Sequence, residues 1–118
     1  MPTKINTHPR FERKVKKLGR RFPDVDDVLE TLIIQLENDE RPGDKIPNIG
    51  YDVYKVRLAN PSAQKGKSGG FRVIYYVRLA DRVILLTIYA KSDQPDISPQ
   101  DIIALLDDLP NGESDEGE

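Results

Sequence analysis

The spacing of apolar residues changes period along the chain. Phe11, Val15, Leu18 and Phe22 recur at i, i+4, i+7 and i+11 among arginines and lysines, which predicts an amphipathic helix weakened in its last turn by Gly19. Thr7-His8-Pro9 precedes it as a start signal, a capping side chain before a proline in the first turn, and Lys4–Thr7 predicts a short strand. A second helix is predicted to open near Pro23-Asp24, where Asp24, Asp26 and Asp27 suit the positive end of the helix dipole. Val25, Val28, Leu29, Leu32 and Leu36 supply its apolar stripe. The prolines and glycines of "NDERPGDKIPNIG" predict a loop.

Beyond that loop the period drops to two. Tyr54, Val56 and Leu58 alternate with Val53, Lys55 and Arg57. Phe71, Val73, Tyr75 and Val77 alternate with Arg72, Ile74, Tyr76 and Arg78. Ile84, Leu86, Ile88 and Ala90 alternate with Leu85, Thr87, Tyr89 and Lys91. Three successive strands joined by loops predict an antiparallel meander. Ser98-Pro99-Gln100-Asp101 reads as a capping box before a last helix carrying Ile102, Leu105, Leu106 and Leu109. The expected fold is α+β: N-terminal helices, then a twisted antiparallel sheet whose one face the helices cover, then a C-terminal helix. A chain of 118 residues fits one domain, expected over residues 1–110, with the polar residues 111–118 as a disordered acidic tail.

Charge changes this picture because it is segregated. The net charge is −2, yet residues 99–118 hold seven acids and no Lys or Arg, so residues 1–98 carry 18 basic against 13 acidic side chains, a net of +5. Between Val53 and Ala80 there are six basic residues and no acid, the footprint of a surface for a polyanion. There is no cysteine and one histidine, His8, read as a helix-start residue. That composition excludes disulfides, thiolate nucleophiles, histidine-cluster metal sites and a serine–histidine triad. No metal and no organic cofactor is expected. No apolar run approaches the length of a membrane span, nor does a charged-then-apolar leader open the chain, so a soluble cytoplasmic protein is the expectation. Gly66-Lys67-Ser68 hints at a nucleotide-binding P-loop, but Pro61 stands where that motif needs glycine and a strand follows where it needs a helix.

Residues two apart on a strand share a face. Lys55 and Arg57, Arg72 and Tyr76, and Tyr89 and Lys91 are therefore expected to share an open, basic, carboxylate-free face, with Arg78 beyond. The loop carrying Lys65, Lys67 and Ser68 would overhang it. Tyr75 is read as core. Such a set suits RNA cleavage, where the 2′-hydroxyl is the nucleophile and the protein orients the backbone, stabilises the transition-state charge and moves protons. Arg57 and Arg72, taken as exposed, would clamp the phosphate with bidentate contacts. Lys55, crowded by cations, would serve as base or proton shuttle, Lys91 would assist the leaving group, and Tyr89 would stack a base or relay a proton.

The order of "FERKVKKL", "VYKVRLAN", "GKSGGFRVIYYV", "LLTIYAKSD" and a helix after "DIS" resembles the RelE/ParE superfamily of toxins from bacterial toxin–antitoxin pairs, and its RelE/HigB branch in particular. The resemblance implies the RelE-like microbial ribonuclease fold and a ribosome-dependent endoribonuclease that cleaves mRNA and inhibits translation. It also implies a cognate antitoxin and a hetero-oligomer with it. By that resemblance the family's two basic strand positions fall on Lys55 and Arg57, its transition-state arginine on Arg72, and the basic residue ending the last strand on Lys91. The tyrosine that RelE carries near its C-terminus aligns with about Ile97, so Tyr89 stands as its candidate substitute. The loop from Asn60 to Gly70 is longer than in compact RelE, and the histidine-based site of HigB is missing. The ParE branch poisons DNA gyrase without catalysis, and a catalytically silent antitoxin-binding module is the third reading.

Overall fold

The first helix begins where the sequence places a cap. In the computed structural model, which describes residues 3–59, 70–79 and 81–109, α1 (Pro9–Arg21) follows β1 (Lys4–Thr7) directly. His8 is its N-cap, and the imidazole Nδ1 accepts the Arg10 N–H at 2.9 Å, taking the role that serine or aspartate usually plays. The Thr7 hydroxyl donates instead to the Glu12 carboxylate. Next come α2 (Val25–Glu37), β2 (Asp44–Lys45), β3 (Val53–Leu58), β4 (Phe71–Arg78), β5 (Arg82–Ala90) and α3 (Pro99–Asp107). The two-residue β2 lies inside the stretch expected to be all loop. Ser98 Oγ caps α3 by accepting the Asp101 N–H at 3.1 Å, as its spacing predicts.

The five strands form one sheet in the order β1-β5-β4-β3-β2. β3, β4 and β5 are the expected antiparallel meander, whereas β1 pairs parallel to β5, so the sheet is mixed. A second correction concerns its faces. The helices do not share one side. Phe11 and Leu18 of α1 and Leu29, Leu32 and Leu36 of α2 pack on Val56, Phe71, Val73, Tyr75, Val83, Leu85, Ile88 and Ala90. Ile102 and Leu105 of α3 pack on the opposite face, over Val53, Ile74, Ile84 and Leu86.

The cause lies in β5. Tyr75 pairs with Leu85 while Ile74 pairs with Thr87, so Leu86 is an extra residue, a bulge. One inserted residue inverts the alternation beyond it. Ile84 and Leu86 therefore share a face with Tyr89, and Ile88 and Ala90 lie on the other, contrary to the strict period read from the sequence. The bulge gives both faces apolar side chains and so requires helices on both. No helix among the described residues is long and apolar enough to cross a membrane.

Candidate active site

On the α3 side, β3, β4 and β5 align their polar side chains in cross-strand rows. Arg57, Arg72 and Tyr89 form one row, and Lys55, Ile74 and Thr87 form the next. Lys91 follows the end of β5, two residues beyond Tyr89, where its N–H donates to the Gly70 carbonyl at 2.9 Å. Glycine is required at position 70. A Cβ there would sit 2.8 Å from the Leu58 carbonyl and 3.4 Å from Arg72 Nη1. Gly43 acts on the other strand edge: its φ is +92°, and a Cβ would lie 2.3 Å from the Lys55 carbonyl. Glycines thus set the backbone positions that carry both Arg72 and Lys55.

Directly opposed like charges destabilise a strand pair, and Arg57 and Arg72 are opposed. Among the described residues neither is in an ion pair; the salt bridges run Arg21–Asp93, Lys45–Asp52 and Lys55–Asp96. Arg57 is exposed. Arg72, expected to be exposed, is only 6% so, and its Nη1 donates to the Phe71 carbonyl at 3.3 Å. Its guanidinium is held in the sheet by β4's central position rather than by solvent-side freedom.

The face is not free of carboxylates. Asp96, in the connection between β5 and α3, accepts the Lys55 ammonium at 3.0 Å, the Ile97 N–H at 2.8 Å and the Tyr89 hydroxyl at 3.4 Å, all on Oδ1. The Lys55 bond, with the Ile97 N–H next, holds the Asp96 carboxyl below its usual range. On α1, burial and then Arg10 and Lys17 push the Lys14 ammonium down. Tyr89 is buried at 2% exposure, so its ring offers no open face for stacking. Burial, then Asp96, pushes that hydroxyl up to about 12. A cavity of about 570 Å³ lies beside it, between α1, β5 and α3, lined by Arg10, Lys14, Thr87, Gln94 and Asp101.

The structure brings together Lys55, Arg57, Arg72, Tyr89 and Lys91. It does not bring Tyr76 and Arg78 to them. Ile74 intervenes, and Arg78 is six residues along β4 from Arg72, ~20 Å at 3.3–3.4 Å per residue. Tyr76 packs edge-on against Tyr51, with ring centroids 5.7 Å apart, beside the core under α3. Lys65, Lys67 and Ser68 lie outside the described residues, as does the acidic segment 111–118. Tyr75 is core: fully buried, stacked on Tyr54 at 5.2 Å, its hydroxyl donating to the Pro42 carbonyl. Asp96 escaped sequence reading because nothing in "KSDQPDIS" separates it from any other loop acid.

A family model described as the RelE toxin of the RelE/RelB toxin–antitoxin system matches residues 10–107. Among solved structures, the chain is similar to a mutant of the E. coli toxin RelE in the free state, with 19% identity and a TM-score of 0.55 over 80% of this chain and 90% of that one. No curated protein matches it.

Proposed function

The chain belongs to the RelE toxin family of toxin–antitoxin pairs, and from that premise we propose that it is a ribosome-dependent mRNA endoribonuclease working by 2′-hydroxyl attack on the scissile phosphate. The observation that carries this reading is the Arg57–Arg72 row. Two opposed guanidiniums with no carboxylate partner among the described residues cost stability until an anion lies across them, and a phosphodiester fits that place. Arg57 and Arg72 clamp the phosphate and stabilise its extra transition-state charge. Lys91 protonates the leaving 5′-oxygen, and Lys55 adds positive charge on the attacking side.

A face this basic needs a partner to silence it, and the proposed partner is a small antitoxin with an acidic amphipathic segment. The groove between α1 and α2, about 960 Å³ and floored by Phe11, Val15, Leu29, Ile33 and Ile34, suits its apolar anchors. Induced expression followed by mapping of mRNA 5′ ends tests the function. Cuts in codon register within translated regions are expected. Intact mRNA with damaged DNA would overturn it in favour of a gyrase poison.

A further inference from the structure

The site holds cations in plenty, yet cleavage also needs a group that takes a proton. Arginine and a lysine ammonium have donors only, with no lone pair to accept one. Tyr89, pushed up to about 12, keeps its own proton at neutral pH. The Thr87 hydroxyl is buried and neutral. His8 has its Nδ1 committed to the Arg10 N–H. Asp101, Asp107 and Asp108 line the cavity between α1 and α3, and none pairs with Lys55, Arg57 or Arg72 among the described residues. Asp44 of β2 stands opposite Lys55 but forms no ion pair or hydrogen bond with it, so among the described residues Asp96 is the carboxylate bonded to the cluster.

We infer that Asp96 is a catalytic residue, the acceptor of the proton from the attacking 2′-hydroxyl; this rests on the endoribonuclease reading above. Its geometry is that of a base fixed in advance. Oδ1 is held from three directions, by Lys55 on β3, Tyr89 on β5 and the Ile97 N–H, and the Gln94 amide donates to the Asp96 carbonyl at 2.9 Å. Arg72 on β4 stands next to Tyr89 in the same row. The side chain is 61% exposed, so its second oxygen is open to substrate. Lys55 and the Ile97 N–H keep the carboxyl ionised at neutral pH. The same pairing makes it a weaker base. The phosphate clamp offsets this by drawing electron density from the forming 2′-oxygen–phosphorus bond.

In the step, the 2′-hydroxyl proton passes to Asp96 as the 2′-oxygen bonds to phosphorus. The phosphorus–5′-oxygen bond breaks, and the 5′-oxygen leaves with a proton from Lys91. The products are a 2′,3′-cyclic phosphate and a 5′-hydroxyl. Asp96 then gives its proton to water and Lys91 takes one up, which restores both groups.

The test is single-turnover cleavage of mRNA on programmed ribosomes across pH, with binding measured on an mRNA carrying 2′-deoxyribose at the cut position. Asp96→Asn is expected to slow cleavage ~10²–10⁴-fold, the usual worth of general acid–base catalysis. Binding should be unchanged or tighter, since a negative charge is gone. The acid limb of the wild-type pH–rate profile should disappear, and Asp96→Glu should restore part of the rate with the limb intact. Lys55→Met should move the limb to higher pH, because the carboxyl loses the cation that holds it down. Asp96→Asn cleaving as fast as wild type would overturn the inference while leaving the function standing. So would slow cleavage with weakened binding and an unchanged acid limb, since Asp96 would then only hold Lys55. A wild-type protein that leaves ribosome-bound mRNA intact overturns the function itself.

Discussion

The two faces of the sheet are built from the same three strands and serve opposite ends. Under α1 and α2 the side chains are aliphatic or aromatic, and the buried Tyr75 hydroxyl ends on a carbonyl. Under α3 only half the face is covered. The short helix protects Val53, Ile74, Ile84 and Leu86 and stops where the row of Arg57, Arg72 and Tyr89 begins. The difference teaches that a helix can seal a core and still leave one end of a charged row, at Arg57, open to solvent while Arg72 and Tyr89 lie buried beside it. Stability is concentrated on the first face, and the electrostatic cost of the second is carried by it.

The largest effect should come from damaging the sealed face. Leu32 is fully buried, and Leu32→Ala is expected to cost about 2–5 kcal/mol by urea denaturation. Arg57→Ala, on the open face, should stay within about 0.5 kcal/mol of wild type in the same experiment while losing toxicity on induction. Equal losses of stability would erase the contrast.

Arg72 sharpens it, because it belongs to the open face and is buried. Arg72→Ala should lose about 10²–10³-fold in single-turnover cleavage, roughly 2.7–4 kcal/mol of transition-state stabilisation. Its melting temperature should also fall, which an exposed arginine would not cause. Arg72→Lys should recover part of the stability and little of the rate, since a point charge does not replace a bidentate fork.

The tyrosine neighbours on β4 give a smaller test. Tyr75→Phe removes a buried hydrogen bond and should cost about 0.5–1.5 kcal/mol. Tyr76→Phe, on the half-buried α3 side, should change stability by less than about 0.5 kcal/mol.

The smallest effect is expected in the seam between α1, β5 and α3. There burial holds His8 below its ordinary 6.5 despite the opposing pull of Asp108, with Arg10 and Arg13 adding to the lowering. Its Nε2 is buried without a hydrogen-bond partner, 3.5 Å from Asp108. Below pH 6.5 the unfolded chain takes up a proton that the folded chain resists. Stability from His8 is therefore complete above that pH and lost as pH falls. Thermal melts from pH 8 to 5 should show a steeper decline for wild type than for His8→Asn, which keeps a capping side chain. Parallel curves would remove His8 from the account.

The sequence by itself determined the elements, because period 3.6 and period 2 follow from backbone geometry and survive any packing. It also placed the helix caps, and it put Lys55, Arg57, Arg72 and Tyr89 on one face, since alternation holds along β3, β4 and the end of β5 beyond the bulge. It could not reveal the bulge at Leu86, because one extra residue leaves composition unchanged while inverting every side chain beyond it. From that inversion follows the apolar patch of Ile84 and Leu86 on the second face, which α3 covers. Asp96 lay equally beyond reach. A loop carboxylate finds its partners only when β3, β5 and the approach to α3 converge, and that convergence is a property of the folded chain, 41 residues from Lys55 in sequence and 3.0 Å in space.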